Sequence, residues 1–550
     1  MADADRYDAE VIIVGAGPVG LLLACELGLR GITVRVLEQA PGLLAHPKAN
    51  THSARAMEIY RRHGLSKALR CSGLPQNRPT DVAYFSRLFE HELHRIAMPS
   101  SDEACHRVRA GDPRWPTPEP QLRTSQMALE PLLLARAQSF SSVNVAFGTV
   151  VETIGHEPAG TSAQVLTATG ERQMIRARYL VGCDGGRSLV RRKLGIRFTG
   201  SDSLEMEFLG GRMQATYFRA ADLLADFPHP PTWMCWTMHP HGRSILVLID
   251  PTRSEFLMHY QLPPEGPVPV FADRLRAAVG TPIEHEVIAS AEWRAGIGLV
   301  ASRFREGNCF LAGDAAHLFT PTGGSGLNTG IEDAFNLGWK LALACRDHAG
   351  EMLLDSYEAE RQPIALRNVG YALELARRAG QCPASPDLDQ ANEAGRAARA
   401  ATAAHLRQFA WQEFDTPGIQ LGGRYDSSPV IHAEDGTARD DCPVDYRPDA
   451  SPGGRLPHLW LEDGSAIFDQ LGPEFTLLCL ASQVDAADWS HAALALGIGL
   501  KVLCLEPTEQ ARALYGCETL LVRPDHYVAW RGSIAEDPSL ILAVAVGLAR

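Results

Sequence analysis

The chain has 550 residues, of which 45% are hydrophobic and 21% are charged, and its formal net charge is −13. This chain is longer than a single hydrophobic core usually supports, so roughly two to four domains are predicted. The acidic balance excludes a general nucleic-acid-binding surface, because such proteins concentrate Lys and Arg against phosphates. The apolar run 11–29 follows an acidic leader, which favours a buried strand and helix over a signal peptide or a membrane span. The twelve cysteines form no C-x-x-C pair, which favours reduced thiols in the cytoplasm.

Residues 10–38 read as an apolar strand, a glycine turn, a helix and a second strand that ends in an acid. Gly15, Gly17 and Gly20 form the G-x-G-x-x-G pattern of a dinucleotide-binding turn. The helix that follows would offer its N-terminal N–H groups to a pyrophosphate. Glu38 closes the second strand, where a carboxylate can accept ribose hydroxyls and disfavours a 2′-phosphate. The unit therefore predicts FAD or NAD binding.

Two later strands also end in acidic residues. Residues 178–196 contain a strand that runs into Asp184-Gly185 and a short basic helix. In the segment 308–343, a strand ends at Asp314, which is placed like a ribose-binding carboxylate. A glycine-rich turn and a long helix follow. The N-terminus of that helix would stabilise negative charge on whatever fills the loop.

These motifs together resemble the single-component FAD-dependent aromatic hydroxylases, the family of para-hydroxybenzoate hydroxylase, phenol hydroxylase and the polyketide hydroxylases. Three fingerprints coincide in the family's order: G-x-G-x-x-G with its acid, the Asp-Gly motif, and G-D followed by P-x-G-G-x-G-x-N. The resemblance implies that Glu38 and Asp314 hold the two riboses of FAD and that Asp184 supports both FAD and nicotinamide binding. The cofactor-binding residues that it implies are Gly15, Gly17, Pro18, Val19, Gly20, Glu38, Gln39, Lys48, Arg55, Gln126, Asp184, Gly185, Gly313, Asp314, Pro321, Gly324, Gly326, Leu327 and Asn328.

The resemblance also implies the chemistry. NADPH or NADH would reduce FAD as a transient co-substrate, and molecular oxygen would then give a flavin C4a-hydroperoxide that hydroxylates an aromatic, phenolic small molecule. An alternative stays open, namely a flavoprotein reductase or dehydrogenase of a quinone-like molecule without oxygen insertion. The sequence identifies no catalytic base and predicts no metal site. The candidate substrate contacts are Trp236, Tyr260 and Pro321.

The expected fold class is α/β: a Rossmann-like FAD-binding fold of the para-hydroxybenzoate hydroxylase type, an inserted β-sheet substrate domain, a helical segment and a thioredoxin-like C-terminal domain. The helical segment has an amphipathic face that suits an interdomain or homodimer contact. The C-terminal domain lacks C-x-x-C, so its cysteines are predicted to be core residues. The expected boundaries are 1–80, 100–198 and 288–345 for FAD binding, 81–99 and 199–287 for the substrate sheet, 346–415 for the helices, 416–454 for a linker loop and 455–550 for the C-terminal domain.

Overall fold

A computed structural model describes residues 7–157, 160–202, 208–434 and 441–549. Up to residue 202 the elements are β1 (Ala9–Val14), α1 (Pro18–Leu29), β2 (Val34–Leu37), α2 (Ala54–Arg62), α3 (Ser66–Cys71), β3 (Val82–Phe85), β4 (Glu92–Ile96), α4 (Ser101–Arg109), α5 (Gln126–Gln138), β5 (Val143–Ala146), β6 (Val150–Glu157), β7 (Gly160–Leu166), β8 (Arg172–Gly182), α6 (Leu189–Lys193) and β9 (Phe198–Ser201).

From residue 208 to residue 345 the elements are β10 (Gly211–Arg219), α7 (Ala221–Ala225), β11 (Met234–Thr237), β12 (Ser244–Asp250), β13 (Glu255–Gln261), α8 (Phe271–Val279), β14 (Glu286–Ala295), β15 (Gly298–Ala301), β16 (Arg305–Glu306), β17 (Cys309–Leu311), β18 (His317–Leu318) and α9 (Ser325–Cys345). The remaining elements are α10 (Glu351–Gly380), α11 (Glu393–Phe409), α12 (Pro417–Leu421), α13 (Ile467–Gln470), β19 (Phe475–Cys479), α14 (Ala487–Ala495), β20 (Leu500–Cys504), α15 (Glu509–Tyr515), β21 (Thr519–Val522), β22 (Val528–Gly532) and α16 (Pro538–Ala545).

The first sheet carries the nucleotide motifs. Its order is β16-β17-β8-β1-β2-β5, and β17, β8, β1, β2 and β5 run parallel. Helix α1 packs against α5 and α9, and its sequence is apolar on all sides apart from the buried Glu26, because both neighbours cover it. The turns after β1, β8 and β17 therefore meet at the carboxyl edge of one parallel sheet, where ligands bind in open α/β folds.

The second sheet has seven strands in the order β14-β10-β13-β12-β11-β3-β4. β14 pairs with β10 along its whole length. The segment 288–295 therefore belongs to the substrate sheet, and its assignment to the FAD-binding segment 288–345 was wrong. The period of β14 cannot reveal this, because strand alternation is the same in either sheet.

The C-terminal sheet has the order β20-β19-β21-β22. β19 and β20 are parallel and are joined through α14, whereas β21 and β22 are antiparallel to their neighbours. This is the thioredoxin-like arrangement that was predicted. The segment 416–454 contains α12 and buried side chains such as Tyr425 and Val430, so packing rather than a free loop characterises its described part.

Buried ion pairs join the C-terminal domain to the rest of the chain. Glu360 of α10 accepts hydrogen bonds from Lys340 at 2.6 Å and from Arg523 at 2.6 and 2.8 Å. Asn336 and Ser428 donate to the same carboxylate at 2.6 and 2.5 Å. All the oxygen lone pairs of this buried acid therefore have partners from several segments of the chain.

Candidate active site

A cavity of about 1460 Å³ runs from the turn after β1 to the seven-stranded sheet. Most of the predicted cofactor residues line it, although they come from five separate segments. Those that do are Gly15, Gly17, Pro18, Val19, Glu38, Gln39, Lys48, Gln126, Asp184, Gly185, Asp314, Pro321, Gly324, Gly326 and Leu327.

The turn between β1 and α1 uses its three glycines differently. Gly15 has a φ of +107°, and a Cβ there would lie 2.4 Å from the carbonyl oxygen of Cys183. A Cβ on Gly20 would lie 2.1 Å from the carbonyl oxygen of Gly15, so Gly20 lets the helix pack on the turn. A Cβ on Gly17 would meet no atom within 4 Å, because Gly17 caps α1 and faces the cavity. The α1 N-terminus is thus open to an anion such as a pyrophosphate.

Two acids face the cavity from the first sheet. Glu38 accepts hydrogen bonds from the backbone N–H groups of Ala16 and Ala40, both at 2.8 Å, which hold its carboxylate above the glycine turn. Asp314 follows β17 and is open to the cavity interior. The protein walls around the cavity desolvate this carboxyl and raise the pKa of Asp314 above its ordinary value, against the charges of His317 and Lys48. Both carboxylates can accept ribose hydroxyls.

Asp184 has one oxygen engaged and one free of protein partners. Its Oδ2 accepts from the N–H groups of Leu189 and Val190 at 2.6 and 3.1 Å, at the start of α6. Its Oδ1 is buried, and no described residue donates to it. A buried acceptor without a partner is costly, so this oxygen suits a donor on a bound cofactor.

The loop 321–327, which includes the first residues of α9, lines the cavity. Gly323 and Gly324 have φ values of +76° and +60°, which let the chain turn sharply before α9. Asn328, which we predicted to contact the cofactor, does not line the cavity. Its amide accepts from the Ser53 N–H at 2.8 Å and donates to the carbonyl oxygens of Thr51 and Gly324 at 3.1 and 2.7 Å. Asn328 therefore ties this loop to the segment before α2.

Three other predicted cofactor residues lie outside the cavity lining. Gly20 and Gly313 stand behind it, and the Gly313 N–H donates to Asp333 at 3.1 Å. Arg55 is a clear correction, because it is buried at the domain junction instead. It pairs with Glu58 at 2.8 Å and donates to the Asp525 carbonyl oxygen at 2.5 Å.

The seven-stranded sheet supplies aromatic walls. Of the predicted substrate contacts on this sheet, Trp236 lines the cavity and Tyr260 does not. Tyr260 is buried against Phe271 of α8, on the other face of β13. Successive side chains of a strand point to opposite faces, so His259 lines the cavity in its place. Burial lowers the pKa of His259 to about 4, which leaves the ring neutral at neutral pH.

Several lining residues were missed from the sequence. Trp293 of β14 faces the cavity, and its indole nitrogen has no partner among the described residues. Arg123 stands three residues before Gln126, the first residue of α5, and this proximity was a usable signal. Glu413 carries no motif and reaches the cavity only through the packing of its turn after α11.

The described part of the chain offers no metal cluster, no membrane-spanning helix and no disulfide. No group of three or more His, Cys, Asp or Glu side chains there is arranged to hold a metal ion. None of the helices described is both long and apolar enough to cross a membrane. All twelve cysteines are free thiols, and Cys479 is buried while Cys504 and Cys517 are half-buried in the C-terminal domain.

A sequence profile of the FAD binding domain matches residues 8–372, and a profile of the aromatic-ring hydroxylase C-terminal domain matches residues 449–547. The chain belongs to the FAD-dependent aromatic hydroxylases. This hydroxylase is 32% identical to aklavinone 12-hydroxylase RdmE of Streptomyces purpurascens, over 96% of this chain and 95% of that protein. It is 30% identical to the 4-methyl-5-nitrocatechol 5-monooxygenase of a Burkholderia species, over 98% of this chain and 97% of that protein. The solved structure of RebC with bound 7-carboxy-K252c matches it with a TM-score of 0.89 and 32% identity, over 98% of this chain and 99% of the RebC chain.

These relatives confirm the predicted family, the fold class and the enzymatic reading. The hydroxylase is an FAD-dependent monooxygenase of aromatic compounds, and NAD(P)H is the usual co-substrate of its family. The alternative of a reductase or dehydrogenase without oxygen insertion has no support among the named relatives. The open glycine turn, the two cavity acids and the unpartnered Asp184 oxygen fit FAD.

Proposed function

We propose that this hydroxylase acts on a phenolic substrate with two or more fused rings, with NADPH or NADH and molecular oxygen as co-substrates. The size of the cavity carries this proposal. Ligand pockets usually measure about 300–1,000 Å³, and a cavity of about 1460 Å³ has room for a dinucleotide and a second, sizeable ligand. The related aklavinone-11 hydroxylase has been solved as a ternary complex that holds FAD and aklavinone together. We place the enzyme in the cytoplasm and expect a homodimer.

The residues divide the cavity between the two ligands. We assign the FAD pyrophosphate to the α1 N-terminus at Gly17, the riboses to Glu38 and Asp314, and the flavin ring to the loop from Pro321 to Leu327. Bound FAD supplies hydride acceptance and oxygen activation. The protein has to orient the substrate ring and keep water away from the reacting atoms.

The substrate belongs against the aromatic walls. Trp233, Trp236 and Trp293 face the cavity from the sheet, and Phe319 and Phe414 face it from two loops. Flat aromatic surfaces bind flat rings through burial and offset stacking, which contribute roughly 0.5–1.5 kcal/mol per ring pair beyond area. A single-ring phenol would leave part of this surface uncovered, so fused rings fit it better.

Oxygen-isotope labelling tests this proposal. The FAD-loaded enzyme is incubated with NADH or NADPH, labelled oxygen gas and a panel of phenol, 1-naphthol and emodin. We expect one labelled oxygen atom in the product, detected by mass spectrometry, and a kcat/KM that is higher for the fused rings. Label drawn from water, or a preference for phenol itself, would contradict the proposal.

A matched pair of variants tests the wall assignment. We expect Trp236→Ala to lower kcat/KM for the preferred compound about 10-fold or more, because a large aromatic contact is lost. Tyr260→Phe is the control on the opposite face of the same sheet, and its kcat/KM should stay at the parent value. Equal losses of kcat/KM in both variants would show that the activity depends on the integrity of the sheet and not on the side chains of its cavity face.

A further inference from the structure

Glu413 is a carboxyl group that faces the cavity with little support from the protein. It ends the short 3-10 turn Ala410–Glu413 and lines the cavity beside the loop 321–327. Among the described residues one hydrogen bond reaches it, from the Gly323 N–H to Oε1 at 3.3 Å. A carboxylate offers about four lone-pair sites, so most of its accepting capacity is unused.

The side chains around Glu413 donate no hydrogen bond to it among the described residues. Tyr371 of α10 donates instead to the carbonyl oxygen of Gln412 at 2.8 Å, and the nearby Tyr84 of β3 has its pKa raised well above its ordinary value, chiefly by burial. Asp415 is paired with Arg114 at 2.6 Å. Burial raises the pKa of Glu413 to about 7, and the Gly323 N–H and the Arg123 charge oppose that rise. A carboxyl of this kind can take up or release a proton at neutral pH.

Arg123 is the cation whose charge acts on Glu413. It also forms no ion pair with a described residue. Its guanidinium donates to the Thr51 hydroxyl at 2.8 Å and to the Phe414 carbonyl oxygen at 3.3 Å, and no described carboxylate forms an ion pair with it. It stacks over Trp233 at 4.9 Å. Arg123 is buried, and this burial lowers its pKa to about 10. The charges of Glu413 and Asp415 oppose that lowering from beyond ion-pair distance. Buried charges are normally paired, so a cavity-lining arginine without a contacting carboxylate suits an anionic ligand.

A third polar group of the cavity has no partner. The hydroxyl oxygen of Thr320 is fully buried, lines the cavity directly before Pro321, and bonds to no described residue. Glu413, Arg123 and Thr320 all line the cavity, and they offer a proton acceptor, a cation and a hydroxyl that the described residues leave largely without partners. A ligand with an ionisable hydroxyl would supply partners of this kind.

We propose that Glu413 and Arg123 form the substrate-ionising site of this hydroxylase, in which Glu413 takes the proton of a phenolic hydroxyl and Arg123 holds the resulting phenolate oxygen. This inference rests on the proposed function. The phenolic O–H bond breaks, a new O–H bond forms on the Glu413 carboxylate, and the electron pair stays on the substrate oxygen. Nothing is oxidised in this step. The proton passes from Glu413 to water when the product leaves and the site refills.

The consequence is a more reactive ring. A phenol has an ordinary pKa of about 10, so it is almost wholly neutral in neutral solution. A positioned base typically contributes about 100-fold to 10,000-fold in rate. Electrophilic oxygen transfer needs electron density in the ring, which the phenolate supplies. Glu413 would therefore act as a catalytic residue, and Arg123 would select ionisable substrates.

A binding experiment tests the site without turnover. The oxidised, FAD-loaded enzyme is titrated with 1-naphthol, and the naphtholate absorbance is followed as a difference spectrum against pH. We expect the parent enzyme to bind naphtholate at pH values well below the pKa of free 1-naphthol. Glu413→Gln should bind the neutral form until the pH approaches that solution value. Glu413→Asp, which keeps an acid on a shorter arm, should lie between them.

A second probe separates the two residues. 2,4-Dinitro-1-naphthol is already an anion at neutral pH, so its binding does not need a base. Arg123→Met should weaken its binding about 10-fold or more, since the charge-assisted contact is lost, whereas Glu413→Gln should bind it at least as tightly as the parent, because a carboxylate that repels the anion is removed. Asp415→Asn is the matched control, because this acid lies two residues from Glu413 but outside the cavity lining, and it should change neither probe.

Turnover supplies the third reading. Glu413→Gln should lower kcat for 1-naphthol about 100-fold at neutral pH, with recovery as the pH rises and the substrate ionises by itself. FAD content, measured from flavin absorbance, should equal that of the parent. An unchanged naphtholate signal or an unchanged pH profile in Glu413→Gln would overturn the inference, as would a parent enzyme that binds 1-naphthol only in neutral form. The labelling experiment is independent of these readings, and incorporation of label with any of them would leave the proposed function intact.

Discussion

Two glutamates of this enzyme, the buried Glu360 and the half-buried Glu413, have opposite surroundings. Glu360, at the junction with the C-terminal domain, accepts hydrogen bonds from Lys340, Arg523, Asn336 and Ser428. Glu413, at the cavity, accepts one long hydrogen bond from a described residue. The protein satisfies the first carboxylate completely and leaves the second open.

The same contrast governs their protonation. Burial acts to raise the pKa of both acids, but at Glu360 the charges of Arg523 and Lys340 outweigh it and lower the pKa well below its ordinary value. At Glu413 burial prevails and the pKa rises to about 7. A buried acid whose charges are matched by the protein holds domains together, and one left unmatched is available to a ligand.

The largest expected effect comes from removing the paired charge. Glu360→Gln leaves Lys340 and Arg523 buried without a full counter-charge, and we expect the free energy of unfolding to fall by about 3–5 kcal/mol. Denaturant unfolding of the FAD-loaded protein measures it. Glu152→Gln is the control, because Glu152 pairs with Arg172 on the surface and should give no resolvable change. A loss at Glu360 no larger than at Glu152 would show that the junction does not depend on this pair.

Removing an open carboxylate of the cavity should affect ligand binding instead. We expect Asp314→Ala to weaken FAD binding about 10-fold to 100-fold, because hydrogen bonds to a charged group contribute about 1.5–3 kcal/mol. Fluorescence titration of the FAD-free protein measures the dissociation constant. The unfolding transition of the FAD-free variant should match that of the FAD-free parent, and an unchanged FAD affinity would count against the ribose assignment.

The smallest expected effect is a change in the pH dependence of stability. Glu413 has a folded-state pKa of about 7 against an ordinary value of 4.5, so its ionisation destabilises the fold as the pH rises through this window. We expect Glu413→Gln to be more stable than the parent by about 1–2 kcal/mol above neutral pH, a figure reduced for water in the cavity, and equal to it at acidic pH.

Glu360 provides the opposite sign for the same measurement. Its lowered pKa contributes stability above the ordinary value, which is lost as the pH falls. The loss of unfolding free energy in Glu360→Gln should therefore shrink as the pH falls. The gain of unfolding free energy in Glu413→Gln has the opposite sign, and it should vanish in acid and return as the pH rises. Unfolding curves at several pH values check both, and parallel pH profiles in the two variants would remove the distinction between the sites.

The local motifs were readable from the sequence because short-range backbone geometry fixes them. The turn of Gly15, Gly17 and Gly20 needs a positive φ, a close approach and an open helix end, and these demands act within a few residues. The acids at strand ends, Glu38 and Asp314, were readable for the same reason, since the carboxyl ends of parallel strands meet at one edge.

Residues whose role depends on distant partners were not readable. Arg55 lies in the helix after the predicted loop, yet it bonds to residue Asp525 across the domain junction. Tyr260 and His259 are neighbours in an apolar strand, and only the packing of α8 on one face of the sheet decides which of them meets the cavity. Strand alternation predicts that the two side chains point to opposite faces of the sheet, but it does not predict which face lines the cavity.

The sequence by itself determined the dinucleotide turn, the flavin fingerprints and, through them, the family of this hydroxylase. Tertiary structure alone decided that Glu413 meets Gly323, 90 residues earlier in the chain, and that Arg123 reaches the same cavity. The reason is physical. A glycine's conformation is a local property, whereas the pKa of an acid is set by every charge, dipole and apolar surface that folding brings around it.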